Sequence, residues 1–332
     1  MTVMNYPYTH ESIRLTGRWD TSNPKAAVST ATGSYVEFAF EGTMALAHFD
    51  TFANSHPLLH VWIQLDGGDM IEAAISDHLR IIAKKAGKHV CRIIYKGGSE
   101  NARRWYAPLT AKISFVGIQT EKAIPLPADT RPVIEFVGDS ITEGVLIDTD
   151  FAYPEELLSY NGQDHRPYQD DVCATYAWLT AEALNLRPVF MGYGAVGTTR
   201  SGQGAVPAAA QAYPYNFDAS PITHTPSDYV LINHGANDRR QPAELYLSRY
   251  VELLDTVRSY NPNATVIALS AFCGAFHEEL GKTIEEYNKK NNCNVRYVDS
   301  NGWIPLEPLH PMRDGHATVA KNPIPRLKEI IG

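Results

Sequence analysis

Along the first third of the chain, apolar and polar residues alternate in short runs separated by turn-forming residues, the period of two that pleated strands require. Ser34–Phe40, Met44–Phe49, Leu58–Leu65, Met70–Ile75, Leu79–Ala83, His89–Tyr95 and Leu109–Val116 are the predicted strands. Asp66-Gly67-Gly68 and Ala86-Gly87-Lys88 supply residues suited to tight turns between them. Seven short strands without a helical stretch predict an antiparallel β-sandwich or jelly roll. A proline-spaced stretch, Ala123 to Pro132, then acts as a semi-rigid connector, so the first unit is placed at residues 1–125 and the second at 126–332.

Beyond the connector the period changes. Short continuous apolar runs (Val133–Val137, Pro188–Met191, Tyr229–Asn233, Thr265–Ser270 and Val295–Val298) alternate with helical stretches at Ala174–Leu184, Ala243–Tyr260, Glu278–Asn291 and His316–Ile331. This is the pattern of β-α units around a parallel sheet, hence an α/β fold. Ser201–Tyr213 is rich in Ala and Gly and receives no assignment. In open α/β sheets ligands bind outside the carboxyl ends of the strands, so the residues just after each strand are the functional candidates.

With 332 residues, the chain has length for about two domains, each able to bury an ordinary core. The net charge of −8, with no block of Lys or Arg, argues against nucleic acid as a partner. Neither a signal peptide nor a run of 18 apolar residues is visible, so the expectation is a cytoplasmic protein with no membrane association. Cys91, Cys173, Cys273 and Cys293 lack C-x-x-C spacing and are expected to be reduced thiols.

Four strand ends carry chemistry. The first runs into Gly138-Asp139-Ser140-Ile141-Thr142-Glu143-Gly144, seating a serine at a strand-to-helix turn whose N–H groups and dipole favour developing negative charge. The same residues also fit a plain capping box, with Ser140 as N-cap and Glu143 closing it. Gly192-Tyr193-Gly194-Ala195-Val196-Gly197-Thr198-Thr199 follows the second strand and permits close backbone approach to a ligand, without the dinucleotide fingerprint. Asn237, in Asn233-His234-Gly235-Ala236-Asn237-Asp238, offers an amide donor or else an Asx turn. His310, in Glu307-Pro308-Leu309-His310-Pro311, is held stiffly by flanking prolines, as a general base must be. The segment 145–172 mixes Phe151, Tyr153, Tyr160 and Tyr168 with acids, a composition shared by sugar-contacting loops and by plain solvated excursions. Asp164 and His165 with Asp170 or Asp171 make a weak metal candidate, and no metal or other cofactor is expected.

Taken together, the four segments resemble the SGNH or GDSL hydrolase superfamily over roughly residues 130–332. Gly138-Asp139-Ser140 resembles its first block, Gly197 the glycine of its second, Gly235-Ala236-Asn237-Asp238 its G-x-N-D block, and Leu309-His310-Pro311 its fifth. The resemblance implies a flavodoxin-like, three-layer α/β/α domain in which Ser140 is the acylated nucleophile and His310 its base. It also implies an oxyanion hole built from the N–H groups of Ser140 and Gly197 and the side-chain amide of Asn237. Chemically the set is coherent: a serine hydroxyl needs a neutral imidazole beside it, and the oxyanion needs donors already aimed at it.

The sequence departs from the family's D-x-x-H block, because Glu307 stands three residues before His310. Either its carboxylate completes a Ser140–His310–Glu307 triad, or a backbone carbonyl holds the ring and a dyad operates. Asp314-Gly315-His316 is a competing motif, taken here as the start of the last helix. A β-sandwich ahead of such a domain is similar to the layout of the second carbohydrate esterase family, whose members remove acetyl groups from polysaccharides. That likeness implies an acetylated oligosaccharide or other small ester as substrate, with Tyr153 and Trp303 as sugar-contacting residues and Trp62 and Trp105 as further aromatic platforms. An acyltransferase using the same site, and a carbohydrate-binding protein with an inert hydrolase domain, are the alternatives.

Overall fold

The computed structural model describes residues 3–98, 100–149, 165–223 and 226–331. Its first part is an antiparallel sheet of eight strands: β1 (Met4–Pro7), β2 (Ile13–Thr16), β3 (Ala27–Ser29), β4 (Tyr35–Phe49), β5 (His60–Leu65), β6 (Met70–Ala74), β7 (His78–Gly97) and β8 (Ile113–Ala123). The main path runs β1-β8-β4-β7-β5-β6, with β2 on β4 and β3 on β8. Alternation drives the burial. In β7, Leu79, Ile81 and Ala83 turn inward while His78, Arg80 and Ile82 face solvent.

The predicted hairpin at Asp66-Gly67-Gly68 is present. Asp66 and Gly67 both have positive φ (53° and 68°) and the Gly68 N–H closes on the Leu65 carbonyl at 2.9 Å, the turn whose twist matches its strands. The predicted turn at Ala86-Gly87-Lys88 is not. Residues 78–97 form one strand, and Gly87 lies opposite Gly42, where the register between β4 and β7 shifts. Two glycines facing each other let both long strands bend together, so the chain bulges where the sequence predicted a reversal. For the same reason Ser34–Phe40 and Met44–Phe49 merge into β4.

The second part holds a five-stranded, all-parallel sheet in the order β10-β9-β13-β14-β15, formed by β9 (Val133–Gly138), β10 (Arg187–Gly192), β13 (Tyr229–Asn233), β14 (Thr265–Leu269) and β15 (Arg296–Val298). A short pair, β11 (Tyr215–Phe217) with β12 (Ser220–Pro221), stands apart. Helical elements are α1 (Ser140–Glu143), α2 (Arg166–Gln169), α3 (Tyr176–Ala183), α4 (Ala209–Ala212), α5 (Ala243–Tyr260), α6 (His277–Asn291), α7 (Arg313–Lys321) and α8 (Pro323–Ile331). Both faces of the sheet are covered. Val230 and Ile232 of β13 pack with Tyr246, Tyr250, Leu253 and Leu254 of α5 and Leu280 and Ile284 of α6, whereas Leu231 packs with Tyr176 and Trp178 of α3 and Val319 of α7. The single helix predicted over His316–Ile331 is two, because Pro323 has no N–H to continue the ladder.

The two parts are joined by buried polar contacts. Arg18, between β2 and β3, is 1% exposed and pairs with the fully buried Glu135 of β9, Nη2 to Oε1 at 2.8 Å, while Tyr213 donates its hydroxyl to the other carboxylate oxygen. Lys96 at the end of β7 donates to the carbonyls of Pro167 and Asp170 at 2.6 and 2.7 Å. In the connector, Arg131 pairs with Asp129, and Arg14 of β2 binds the Pro127 carbonyl at 2.8 Å.

Removing one member of a buried ion pair strands the other charge. Arg18→Ala is therefore expected to lower the unfolding free energy by about 3–5 kcal/mol, and Arg18→Met combined with Glu135→Leu to recover most of it. Urea denaturation of the three proteins checks this; a single-variant loss no larger than that of an exposed pair, about 1 kcal/mol or less, would contradict it.

Candidate active site

The carboxyl edge of the parallel sheet gathers the suspected residues. β9 ends in Gly138 and turns sharply into α1. A Cβ at Gly138 would lie 2.1 Å from the Thr142 hydroxyl, so the turn closes only around glycine. Asp139, not Ser140, is the N-cap: its side chain accepts from the Ile141 N–H at 3.0 Å. Ser140 becomes the first helical residue, whose N–H has no acceptor within the helix.

Glu143 does not close a capping box either. Its carboxylate is buried, paired with Arg104 from the loop between β7 and β8, and accepts the Gly194 N–H at 2.5 Å. Burial raises this carboxyl to about 7 even though Arg104 pulls it down. Burial likewise raises Asp139 to about 7, with the Asp238 charge adding to the effect.

His310 lies on the loop between β15 and α7, and its Nε2 is 2.8 Å from Ser140 Oγ. This is hydrogen-bond reach for a base accepting the hydroxyl proton. Burial pushes the imidazole below its ordinary pKa; Glu100 opposes that shift, and Arg166 and Arg239 add to it. Glu307 does not join the pair. It is exposed, hydrogen-bonds to no described residue and is absent from the charges that act on His310. The i−3 spacing carries it away because it belongs to the outer turn of the loop, where it lines an open cavity of about 690 Å³ with Pro308, Pro311 and Arg313. His316 is also excluded as the base. It is buried in α7, its Nδ1 accepts the Tyr176 N–H at 3.1 Å, and burial lowers it to about 3.

The three expected oxyanion donors are brought to one edge but are not equivalent. Asn237 donates from Nδ2 to the Val196 carbonyl at 3.0 Å, which orients the amide and leaves it a second N–H. The Gly197 N–H, expected free, instead donates to the Arg200 carbonyl at 3.0 Å, closing the turn 197–200. That turn is held by Asp238, whose carboxylate accepts from the N–H groups of Thr198 and Thr199 and from the Thr199 hydroxyl. A Cβ at Gly197 would fall 2.6 Å from Asp238 Oδ1, which requires glycine there.

Among the aromatic candidates, Tyr153 lies outside the described residues. Trp303 is partly buried, tilted against Phe272 at the margin of the core. Trp105 is buried against Tyr193 and is a packing residue, because a sugar platform needs an open face. Trp62 donates its indole N–H to Asp171 at 2.9 Å and lies under Lys96. The carboxylates suggested for a metal are otherwise engaged, Asp170 by Arg166 and the Leu146 N–H, Asp171 by Trp62 and Arg313. Asp164 lies outside the described residues.

Sequence reasoning missed Glu100 and Arg104. Both come from the first part of the chain, and no spacing within residues 126–332 could signal them. Glu100 pairs with Arg166 of α2 at 2.6 Å and packs so closely on Gly194 that a Cβ there would meet its Cγ at 2.3 Å.

The chain matches the model of the GDSL-like lipase/acylhydrolase family over residues 136–319, more than half of its length, a span that holds both Ser140 and His310. The chain belongs to this family. It is 25% identical over 351 residues to the cellulase/esterase CelE of Acetivibrio thermocellus, covering 96% of this chain and 40% of that protein. It is 24% identical over 262 residues to the acetylxylan esterase/glucomannan deacetylase of Cellvibrio japonicus, covering 74% of this chain and 68% of that protein. A family two carbohydrate esterase from Cellvibrio japonicus superposes with a TM-score of 0.80 at 18% identity, over 99% of this chain and 98% of that one. The chain thus spans less than half the length of the first of these relatives and about two thirds of the second.

Because the base must be neutral and burial favours the neutral form, the acid limb of kcat/KM should fall below the unperturbed imidazole value of roughly 6.5. A pH profile of aryl acetate hydrolysis reads it, and a limb at or above that value would contradict His310 in this environment. Glu307→Gln is expected to leave kcat within about threefold, since a carboxylate that does not touch the imidazole cannot orient it. A much larger loss in Gln, restored in Glu307→Asp, would reinstate the triad.

Proposed function

We propose that this chain is a serine esterase that removes acetyl groups from carbohydrates, and the observation that carries the reading is the 2.8 Å approach of Ser140 Oγ to His310 Nε2. In this reading His310 takes the Ser140 proton as Oγ attacks the acetyl carbonyl. The resulting oxyanion is received by the Ser140 N–H and the Asn237 amide. The Gly197 N–H joins them only by giving up the Arg200 carbonyl. As the intermediate collapses and the acyl C–O bond to the sugar breaks, the imidazolium gives its proton to the departing alkoxide oxygen, which leaves as the hydroxyl. Water, activated by the same ring, then releases acetate from the acyl-enzyme. A Ser-His dyad suffices for these steps.

Carbohydrate esters as substrates are supported by the names of the two relatives, an acetylxylan and glucomannan deacetylase and a cellulase/esterase. The antiparallel first part is taken as a jelly-roll-like unit, residues 1–125, ahead of the hydrolase unit, residues 126–332. A cytoplasmic setting fits the four free cysteines. No helix among the described residues is long and apolar enough to cross a membrane.

Incubating the protein with an aryl acetate and with acetylated xylo-oligosaccharides, with and without an added alcohol, tests the reading. Acetate release is expected, and Ser140→Ala should lower kcat by a factor on the order of 10³ or more. Near-normal rates in Ser140→Ala would overturn the nucleophile. Transfer to the alcohol in place of acetate would make the chain an acyltransferase, and sugar binding without ester cleavage would leave a binding protein.

A further inference from the structure

The two loops that carry Gly197 and Asn237 also carry positive charge that the proposed steps do not use. Arg200 ends the turn 197–200, and Arg239 and Arg240 follow Asp238, the carboxylate that clamps that turn. The clamp therefore gathers three arginine-bearing positions at the two loops that supply Gly197 and Asn237. All three residues are exposed. Arg239 donates from Nη1 to the Ala236 carbonyl at 2.5 Å, which anchors its guanidinium beside Asn237, and Arg200 reaches only the Ser201 carbonyl at 3.4 Å. Among the described residues none of the three forms an ion pair with a carboxylate. Asp238 itself is turned inward and already accepts three hydrogen bonds.

This is an unusual place for uncompensated cations in a chain of net charge −8. The charged groups acting on the His310 ring are Glu100, Arg166 and Arg239. Glu100 and Arg166 pair with each other at 2.6 Å, whereas Arg239, on the loop that carries Asn237, has no carboxylate partner among the described residues. A planar guanidinium with free N–H groups matches a carboxylate through two parallel hydrogen bonds.

Resting on the esterase reading above, we propose that the preferred substrates are acetylated oligosaccharides bearing a carboxylate, that is, uronic-acid-containing chains, whose acidic sugar is received by Arg239 with Arg200 and Arg240 alongside. The open, surface position of the three side chains suits a neighbouring residue of the sugar chain, while the neutral acetylated residue reaches Ser140.

The test compares kcat/KM of the full chain on acetylated xylo-oligosaccharides of equal length with and without a glucuronic acid branch. The acidic chain is expected to react about three- to tenfold faster at low ionic strength, the scale of one or two partly exposed charge-assisted contacts. That ratio should fall toward one as salt rises to about 1 M, where the screening length shrinks to about 3 Å. Arg239→Gln should lower the ratio more than Arg239→Lys, which keeps the charge but not the fork. Equal or slower reaction of the acidic chain overturns the proposal, as does a preference unaffected by Arg239→Gln and Arg240→Gln. Should Arg239→Gln fail to fold, the wild-type salt response decides, and a preference insensitive to salt counts against the proposal. Stronger inhibition of aryl acetate hydrolysis by glucose phosphate than by glucuronate overturns the carboxylate assignment. Failure to release acetate from any ester strikes the esterase reading itself, whereas release without acidic preference strikes only this proposal.

Discussion

The catalytic edge depends on one buried carboxylate being held from the other sheet. Glu143 stands three residues after Ser140, receives Arg104 from the loop between β7 and β8, and grips the Gly194 N–H. Taking two charges out of water costs several kcal/mol per ion, so the pair is stable only when its geometry is close and its remaining lone pairs are filled. The contact is close and the Gly194 N–H fills the second carboxylate oxygen, whereas Arg104 Nε is buried without a hydrogen-bond partner among the described residues. Separately, the Glu143 backbone carbonyl accepts from the Thr32 hydroxyl at 3.1 Å. The seat of Ser140 and the glycine-rich loop after β10 are thereby locked to the antiparallel sheet. The first part of the chain is thus a structural component of the site.

A second consequence concerns the base. His310 is partly withdrawn from water, and the charges that act on it are Glu100, itself paired with Arg166, together with Arg166 and Arg239. Desolvation favours the neutral imidazole, the form a proton acceptor needs, while Glu100 favours the protonated ring. Through Glu100, the loop between β7 and β8 thus reaches the electrostatics of His310 as well as the framework around it. Glu100 acts on the His310 ring through space and not as a hydrogen-bonded partner, while Glu307 faces solvent.

The sequence by itself determined the secondary-structure grammar and the order of the chemical blocks. The parallel strands, α5 and the Asp66-Gly67 turn follow from local periodicity and from residues that tolerate positive φ. Ser140 and Asn237 stood out because each follows an apolar run, where an α/β sheet exposes its loops, and His310 because prolines flank it in a segment resembling the family's fifth block. Local signals failed where long-range partners decide. Gly87 carries the same turn signal as Gly67, yet Gly42 across the sheet makes it a bulge. The Ser140-x-x-Glu143 spacing spells a capping box, yet a buried arginine from 39 residues earlier takes the carboxylate. The Glu307 spacing fits a triad, yet the loop path turns it outward, and the N–H of Gly197 is claimed by a carbonyl three residues on. Only the tertiary structure could decide these, because an ionised or hydrogen-bonding group settles on whichever partner best repays its desolvation, and that partner need not be near in the chain.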